Sequence, residues 1–435
     1  MGPIRDKVNS YLATGVECSV VRSGTNLDTC TELSGTLHSV ASFPNEGKAK
    51  VHKAVHEVQG WLESRDYSGY EPFDLVSSPY VGPWSRRFPF SLLIRQYGRR
   101  FAGVRIRELL RVPMSKNCKA LGLVLAGYCD LARCGENWEP EAKYIKAELL
   151  RLRSPQEEEF CWGYNWMAIS LRAGNVMPAF SPNAVATSFC GSALLDMAEV
   201  FGDQEALDTA ASAGRFLVKR LNRSIDTDTE LCFSYTPGDR TRIYNSTALV
   251  SAFLTRLAGI AAVPDYVDLA RRSMQYLINR QLPDGAWYYG DSRWQRWIDS
   301  FHTAYNLDSL LQFRQLTGET FADHAIRQGY DYYRRTFFSQ GRPTYYHNRT
   351  YPIDIHSCSQ AILTLCGFED QDEGAFETAL AIAEWTLNNM KSKDGSFYYQ
   401  RHRTWTNRTP YLRWGQAWMF KALARLQRHM VSPTA

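Results

Sequence analysis

The sequence predicts an all-α fold in which helical hairpins close into a ring and are joined by short aromatic turns. Two kinds of helical segment alternate through the C-terminal half of the chain, and each recurs about every 55 residues. A short aromatic segment recurs at a similar spacing. Three parts in one fixed order indicate a single repeat architecture in this chain of 435 residues, not two separate domains.

The first recurring part is a helix that is apolar on most sides and opens on a polar residue. It begins at Thr187, Asn245, Asp299 and Asp354, and the last two steps are 54 and 55 residues long. All four are good N-cap residues, because their side-chain oxygens accept a hydrogen bond from the first helical turn. The apolar surface on most sides predicts that these helices form an inner ring.

The second recurring part is an amphipathic helix with one apolar stripe and a charged back. It begins at Glu205, Tyr266, Phe321 and Phe376, and the last three starts are 55 and 55 residues apart. A single apolar stripe suits a helix that packs on one side and faces water on the other. These segments therefore predict an outer ring.

The third recurring part is a turn followed by alternating aromatic residues. Its last aromatic positions, Tyr235, Tyr289, Tyr346 and Tyr399, are spaced 54, 57 and 53 residues apart. Asp-Gly favours a tight turn and the alternation favours a half-buried strand, so each segment predicts a short β-hairpin leading to the next inner helix.

The pattern continues more weakly toward the N-terminus, and it gives six outer and six to seven inner helices in all. The additional segments are an inner helix at 117–131, an outer helix at 141–153, a hairpin at 161–166, amphipathic helices near 48–63 and 90–100, and a last inner helix after Pro410. We expect residues 1–47 to be an N-terminal arm and residues 48–435 to be one toroidal domain.

Composition excludes several classes of function. The net charge is only +5, without a basic run, which argues against nucleic acid as a partner. No stretch of 18 apolar residues and no signal-like apolar segment occurs, so neither membrane spanning nor export is predicted. The ten cysteines form no CxxC pair, which favours a reducing compartment. We therefore expect a cytoplasmic protein.

Two inner-helix starts place an acid and a histidine together. Asp299 and His302 are three residues apart, and Asp354 and His356 hold the corresponding position in the next repeat. Neighbouring parallel helices would bring the four groups to one mouth of the ring. The acids are equally well explained as N-caps, whereas a neutral imidazole in a first turn suits a general base, an acid partner or a metal ligand.

Further candidates for this mouth are aromatic, amide and arginine side chains, which suit a sugar acid because rings stack on its C–H faces and guanidinium pairs with carboxylate. Ordinary packing explains each of them about as well. The predicted substrate-binding residues are Asn165, Trp166, Asn245, Trp294, Trp297, Tyr305, Arg349, Trp405, Tyr411 and Arg413. Glu71 and Asp74 add two acids on a segment that we expect to cover the mouth as a lid.

The rings and the Asp-Gly-aromatic hairpins resemble the (α/α)6 toroids of glycoside hydrolases, unsaturated glucuronyl hydrolases, polysaccharide lyases, acylglucosamine 2-epimerases and uronate C5-epimerases. The resemblance covers about residues 48–430 and implies a six-hairpin fold. A second, local resemblance links YLINRQLPDGAW at 276–287 to the Gln-Trp repeat of squalene and terpene cyclases. DSFHTAY at 299–305 is similar to the histidine-bearing helix of protein prenyltransferase β subunits.

Three functions follow as hypotheses. The first is a carbohydrate-active enzyme on a uronate-containing oligo- or polysaccharide, in which Asp299, His302, Asp354 and His356 perform acid–base chemistry in hydrolysis, elimination or epimerisation without a cofactor. The second is a prenyltransferase or terpene-cyclase-like enzyme in which the same four residues bind zinc. The third is a noncatalytic toroid that binds glycans.

Overall fold

A computed structural model describes residues 45–86, 90–166, 168–170, 175–261, 263–339 and 341–431. This part of the chain is mostly helical, and its short strands pair only in small antiparallel sheets. The α-helices are α1 (Asn45–Glu63), α2 (Phe90–Phe101), α3 (Val104–Leu109), α4 (Cys118–Ala132), α5 (Glu139–Arg151), α6 (Ala184–Phe201), α7 (Gln204–Arg220), α8 (Tyr244–Ile260), α9 (Asp265–Ile278), α10 (Ser300–Thr317), α11 (Asp323–Phe337), α12 (Ile355–Gly367), α13 (Ala375–Met390) and α14 (Ala417–Val431).

Six helices form a closed inner ring. Helices α4, α6, α8, α10, α12 and α14 each pack against the next, and α14 packs back against α4. Helices α5, α7, α9, α11, α13 and α1 each pack outside one member of that ring. The predicted (α/α)6 toroid is therefore confirmed. Of the predicted N-terminal arm at 1–47, residues 1–44 lie outside the described residues, and α1 begins at Asn45.

Small residues allow the inner helices to lie close together. A Cβ atom at Gly191 of α6 would fall 2.5 Å from the Phe253 ring of α8, and one at Gly127 of α4 would fall 2.7 Å from the Phe420 ring of α14. Helix α6 is also long and apolar enough to cross a membrane by composition alone. Its place in the inner ring, with most of its surface buried, explains that composition.

Four of the six inner helices begin on a side-chain cap, and two predicted starts were wrong. The Asp299 carboxylate accepts the His302 backbone N–H at 3.0 Å, and Asp354 accepts the His356 backbone N–H at 2.9 Å. Helix α6 begins at Ala184, capped by Asn183, because the Thr187 hydroxyl instead bonds the Trp162 backbone. Helix α8 begins at Tyr244, so Asn245 lies inside its first turn.

The strands are shorter than the sequence predicts. They are β1 (Ala168–Ser170), β2 (Asn175–Met177), β3 (Arg223–Asp226), β4 (Leu231–Phe233), β5 (Phe338–Ser339), β6 (Arg342–Pro343), β7 (Ile353–Asp354), β8 (Gln400–Arg401) and β9 (Thr406–Asn407). The pairs β1–β2, β3–β4 and β5–β6 are hairpins, and β7–β8–β9 is a three-stranded sheet. The predicted hairpin at 161–166 contains no strand, because these residues form the approach to β1.

The Asp-Gly-aromatic segments mainly tie outer helices to their neighbours. Gly285 adopts a φ of 96°, as the predicted turn requires. Trp287 is buried, and its indole N–H donates to the Leu277 carbonyl at the end of α9. The Gln281 amide donates to the Ala325 carbonyl of α11 at 3.0 Å. The residues that resemble a Gln-Trp repeat therefore serve to join successive outer helices.

Candidate active site at the N-terminal ends of the inner helices

Asp299 and His302 form a hydrogen-bonded pair at the start of α10. The Nδ1 atom of His302 lies 2.7 Å from the Asp299 carboxylate, which also accepts the Trp297 indole N–H at 3.0 Å. The Asp299 side chain is buried, whereas 21% of the His302 side chain is exposed. Its Nε2 atom has no hydrogen-bond partner in the described part of the chain. The N-cap thus also orients an imidazole whose second nitrogen faces outward.

Aromatic rings enclose His302. The centroid of its ring lies 4.6 Å from that of Tyr289 and 4.3 Å from that of Phe301. Trp297 stacks on Tyr289 at 4.4 Å and is itself 36% exposed. The reactive face of the imidazole therefore adjoins an accessible aromatic surface that suits the apolar face of a sugar ring.

Asp354 and His356 hold the equivalent position on α12 but are buried. The Asp354 carboxylate caps the helix and accepts the Gln400 amide at 2.6 Å, and burial raises its pKa to about 6. The Nε2 atom of His356 lies 2.7 Å from the Tyr305 hydroxyl, and burial lowers its pKa well below the usual range. This pair forms part of the core beneath the exposed dyad.

The two acid–histidine pairs adjoin each other without forming a metal-ligand set. The Phe301 ring stands between the imidazoles, with centroids 4.3 Å from His302 and 4.1 Å from His356. Across the residues placed in the structure, no group of three or more His, Cys, Asp or Glu side chains is arranged to hold a metal ion. The expected convergence of four ligands is therefore not found, because an aromatic side chain separates the repeats.

A buried lysine lies below His356 and was not singled out in the sequence. The Lys119 Nζ atom lies 4.0 Å from the Phe189 ring centroid, 5.3 Å from that of Trp418 and 3.5 Å from the Tyr305 hydroxyl. Burial lowers the pKa of this amine well below its ordinary value. The sequence signal that could have identified Lys119 is that it is a single lysine within the apolar segment of α4.

Arg413 is held inside the ring by an acid from the N-terminal half of the chain. Its guanidinium lies 3.0 Å from the Glu71 carboxylate and stacks over the rings of Tyr164 and Trp166. Burial raises the pKa of Glu71 to about 7. Because its charge is paired and buried, Arg413 is not placed to clamp a substrate carboxylate.

The segment expected to form a lid is packed into the fold instead. Asp74 and Arg107 form a buried ion pair at 3.0 Å, and Arg107 also donates to the hydroxyl of Tyr411. Tyr411 is fully buried, and its hydroxyl donates to the Arg99 carbonyl. These contacts anchor the chain between α1 and α4 to the start of the last inner helix.

The remaining predicted residues divide between the core and the rim. Asn245 is buried, and Asn165 donates to the Lys116 carbonyl, while the side-chain oxygen of each has no hydrogen-bond partner among the described residues. Trp294, three residues before Trp297, is 55% exposed. The exposed Arg349 stacks over the ring of Tyr346, and the Tyr346 backbone forms an isolated antiparallel β-bridge with Asp299. Trp405 stacks on His402 at a separate part of the rim.

No protein-family model matches the sequence, and no curated protein matches it. Solved structures with the same fold include a cellobiose 2-epimerase from Bacillus thermoamylovorans, with a TM-score of 0.57, 12% identity, and coverage of 86% of this chain and 100% of that one. A GH76 α-mannanase from Bacteroides thetaiotaomicron has a TM-score of 0.55 and 12% identity, and the match covers 83% of this chain and 99% of that one. An unsaturated glucuronyl hydrolase specific for heparin has a TM-score of 0.57 and 12% identity, and the match covers 87% of this chain and 96% of that one.

These similarities place the protein among the six-hairpin toroids, the fold found in those carbohydrate enzymes. At 12% identity they establish the architecture, and the reaction must be argued from the residues of this chain.

Proposed function

We propose that this protein is a carbohydrate-active enzyme in which His302, oriented by Asp299, transfers a proton to or from a uronate-containing oligo- or polysaccharide. The observation on which this rests is the dyad itself: an imidazole that is fixed at Nδ1 by a buried carboxylate and is 21% exposed beside Tyr289, on which Trp297 stacks. Such a pair holds one tautomer and stabilises the imidazolium that forms when Nε2 accepts a proton. The shared fold of sugar epimerases and glycosidases supports the same class of substrate.

The geometry favours proton transfer at carbon over hydrolysis by two carboxylates. Hydrolysis requires an acid and a base or nucleophile that both reach the glycosidic bond. Asp299 and Asp354 are the matched acids, but each is buried and already accepts a backbone N–H and a side-chain donor. His302 is the exposed member of the four candidates, so epimerisation or elimination is the reaction we propose.

In the proposed reaction, Nε2 of neutral His302 removes the proton from the carbon next to the uronate carboxyl group. Asp299 stabilises the resulting imidazolium through Nδ1–H. Return of a proton from water to the opposite face gives an epimer, and departure of the neighbouring oxygen substituent, which takes a proton from water, gives an unsaturated product. Trp297 would stack on the sugar, and the exposed Arg349 would pair with its carboxylate.

The test is solvent exchange in D₂O with oligosaccharides of glucuronate, mannuronate and galacturonate. We expect deuterium at the carbon next to the carboxyl group, or an unsaturated product, detected by NMR. His302→Ala removes this activity, and His324→Ala, an exposed histidine on α11, serves as the matched control and retains it. New reducing ends with neither an unsaturated product nor deuterium incorporation would establish a hydrolase, and binding without turnover would establish a noncatalytic glycan-binding protein.

A further inference from the structure

A cavity of about 1050 Å³ lies inside the inner ring at the end opposite His302. Residues from all six inner helices line it, and the lining reaches the C-terminal ends of those helices at Thr317, Gly367 and Arg428. Its inner end is formed by the rings of Phe189, Tyr305 and Trp418. These rings separate the cavity from the acid–histidine pairs, so it constitutes a second compartment of the toroid.

Most of the charged side chains that line this cavity neutralise one another. Arg256 lies 3.0 Å from Asp196 and 3.0 Å from Glu199. Arg425 and Arg428 both pair with Asp130, at 2.9 and 3.1 Å. These pairs belong to the wall and also place cations near helix C-termini, where the helix dipole favours them. These ion pairs alone therefore do not indicate a ligand site.

Lys421 and Asp308 differ from that network. Lys421 forms no hydrogen bond or ion pair with any residue placed in the structure, and its nearest aromatic contact is the Trp418 ring, 6.0 Å away. It lies in the second turn of α14, too far from the C-terminus for the dipole to explain it. Burial lowers the pKa of its amine, although the charges of Asp196, Asp130 and Asp308 act in the opposite direction.

Asp308 is the corresponding acid on α10. One oxygen accepts the Gln360 amide at 2.7 Å and the Thr364 hydroxyl at 3.1 Å, and no cation pairs with the carboxylate in the described part of the chain. Burial raises its pKa to about 7. Lys421 and the second oxygen of Asp308 thus face one cavity without a hydrogen-bond partner in the described part of the chain.

We propose that this cavity binds a sugar acid, with its carboxylate on Lys421, its hydroxyl groups on Asp308, and its apolar face toward Tyr305 and Trp418 at the inner end. Lys421 and Asp308 are partly buried, so they have lost some of their hydration, and a ligand that pairs with them offsets that loss. Aromatic rings beside a few polar groups are typical of sites for small polar ligands, and the volume accommodates a short oligosaccharide. The proposal rests on the cavity and is independent of the reaction proposed at His302.

The test is isothermal titration calorimetry of the full chain with D-glucuronate and with D-glucose, its uncharged counterpart. We expect glucuronate to bind at least about tenfold more tightly than glucose, since the carboxylate is the group that meets Lys421. Lys421→Met should weaken glucuronate binding by about tenfold or more while leaving the melting temperature unchanged or raised, because it removes a partly buried cation that has no hydrogen bond or ion pair within the described residues. Lys53→Met, at an exposed lysine on α1, is the matched control and should bind normally.

Asp308→Asn provides a second variant that keeps the side-chain volume, and it should weaken both sugars. His302→Ala should leave glucuronate affinity unchanged, since that residue lies at the other end of the ring. The proposal is overturned if the wild type binds neither sugar, if Lys421→Met binds glucuronate as well as the wild type does, or if His302→Ala removes the binding.

Discussion

Replacing Asp299 by Asn tests whether the cap of α10 is also part of the chemistry. One Asp299 oxygen accepts the His302 backbone N–H, and the other accepts both the His302 imidazole and the Trp297 indole. Asparagine preserves the first interaction but turns an NH₂ group toward the other two donors. His302 then regains a hydrogen bond only by moving its proton to Nε2, which removes the base from the face of the imidazole that meets the substrate.

The magnitudes follow from these contacts. Loss of the correct tautomer should lower kcat/KM by about 10²- to 10⁴-fold, the usual contribution of a positioned general base. Unfolding should become easier by only about 1–2 kcal/mol, because the backbone cap remains and one charged hydrogen bond with a buried partner is lost. Asp299→Ala should cost about 1 kcal/mol more, since the cap is then lost as well.

Asp354→Asn is the matched control, because Asp354 caps the next inner helix in the same way but bonds Gln400 in place of an exposed histidine. The Gln400 amide can turn to meet the new NH₂ group. We expect kcat/KM within a few fold of wild type, measured by deuterium exchange, and a similar urea-unfolding midpoint. If Asp354→Asn loses as much activity as Asp299→Asn, or if Asp299→Asn remains fully active, the role assigned to the dyad is refuted.

Three further predictions concern stability. Glu71→Gln or Arg413→Met alone should cost about 3–5 kcal/mol by leaving a buried charge unpaired, and the double variant should cost less than either single change, as urea unfolding would show. Burial raises the pKa of Asp308 to about 7, so the folded state holds this proton at a pH where the unfolded chain has lost it. The stability that depends on this proton is fully present below about pH 4 and is lost as the pH rises through about 7. The wild-type melting temperature should therefore fall between about pH 4 and 7, and Asp308→Asn should reduce that fall; an unchanged slope would contradict this prediction. Gly285→Ala should cost about 1–3 kcal/mol, because φ is 96° and the new Cβ would lie 2.3 Å from the Gln328 carbonyl oxygen, whereas Gly135→Ala, at a φ of 90° with nothing within 4 Å, should cost less in the same melt.

The repeat was predictable because helix periodicity and capping are local. Apolar surface on most sides identified the inner helices, and single stripes identified the outer ones. Asp299 and Asp354 were correctly expected to cap α10 and α12. The start of α6 was misplaced because Thr187, a good cap by residue type, has its hydroxyl engaged by Trp162 from the preceding segment.

The sequence could not separate the two acid–histidine pairs, which look equivalent along the chain. His356 is buried because Phe301 and Tyr305 of α10 and Trp418 of α14 surround it, and these residues come from two other repeats. Tyr289, Phe301 and Tyr305 also surround His302, but 21% of its side chain remains exposed. Exposure depends on what the neighbouring helices contribute, and no local pattern contains that information.

The sequence by itself determined the toroid, its two rings and the placing of Asp299 and His302 at the start of one inner helix, because each of these follows from contacts between residues a few positions apart. Only the tertiary structure decided that Arg413 is neutralised by Glu71, that Lys119 is buried beneath His356, and that Lys421 and Asp308 face a common cavity. Ring closure packs α14 against α4 and so joins distant parts of the chain. Those partners are fixed by geometry across the ring, which spacing along the chain does not encode.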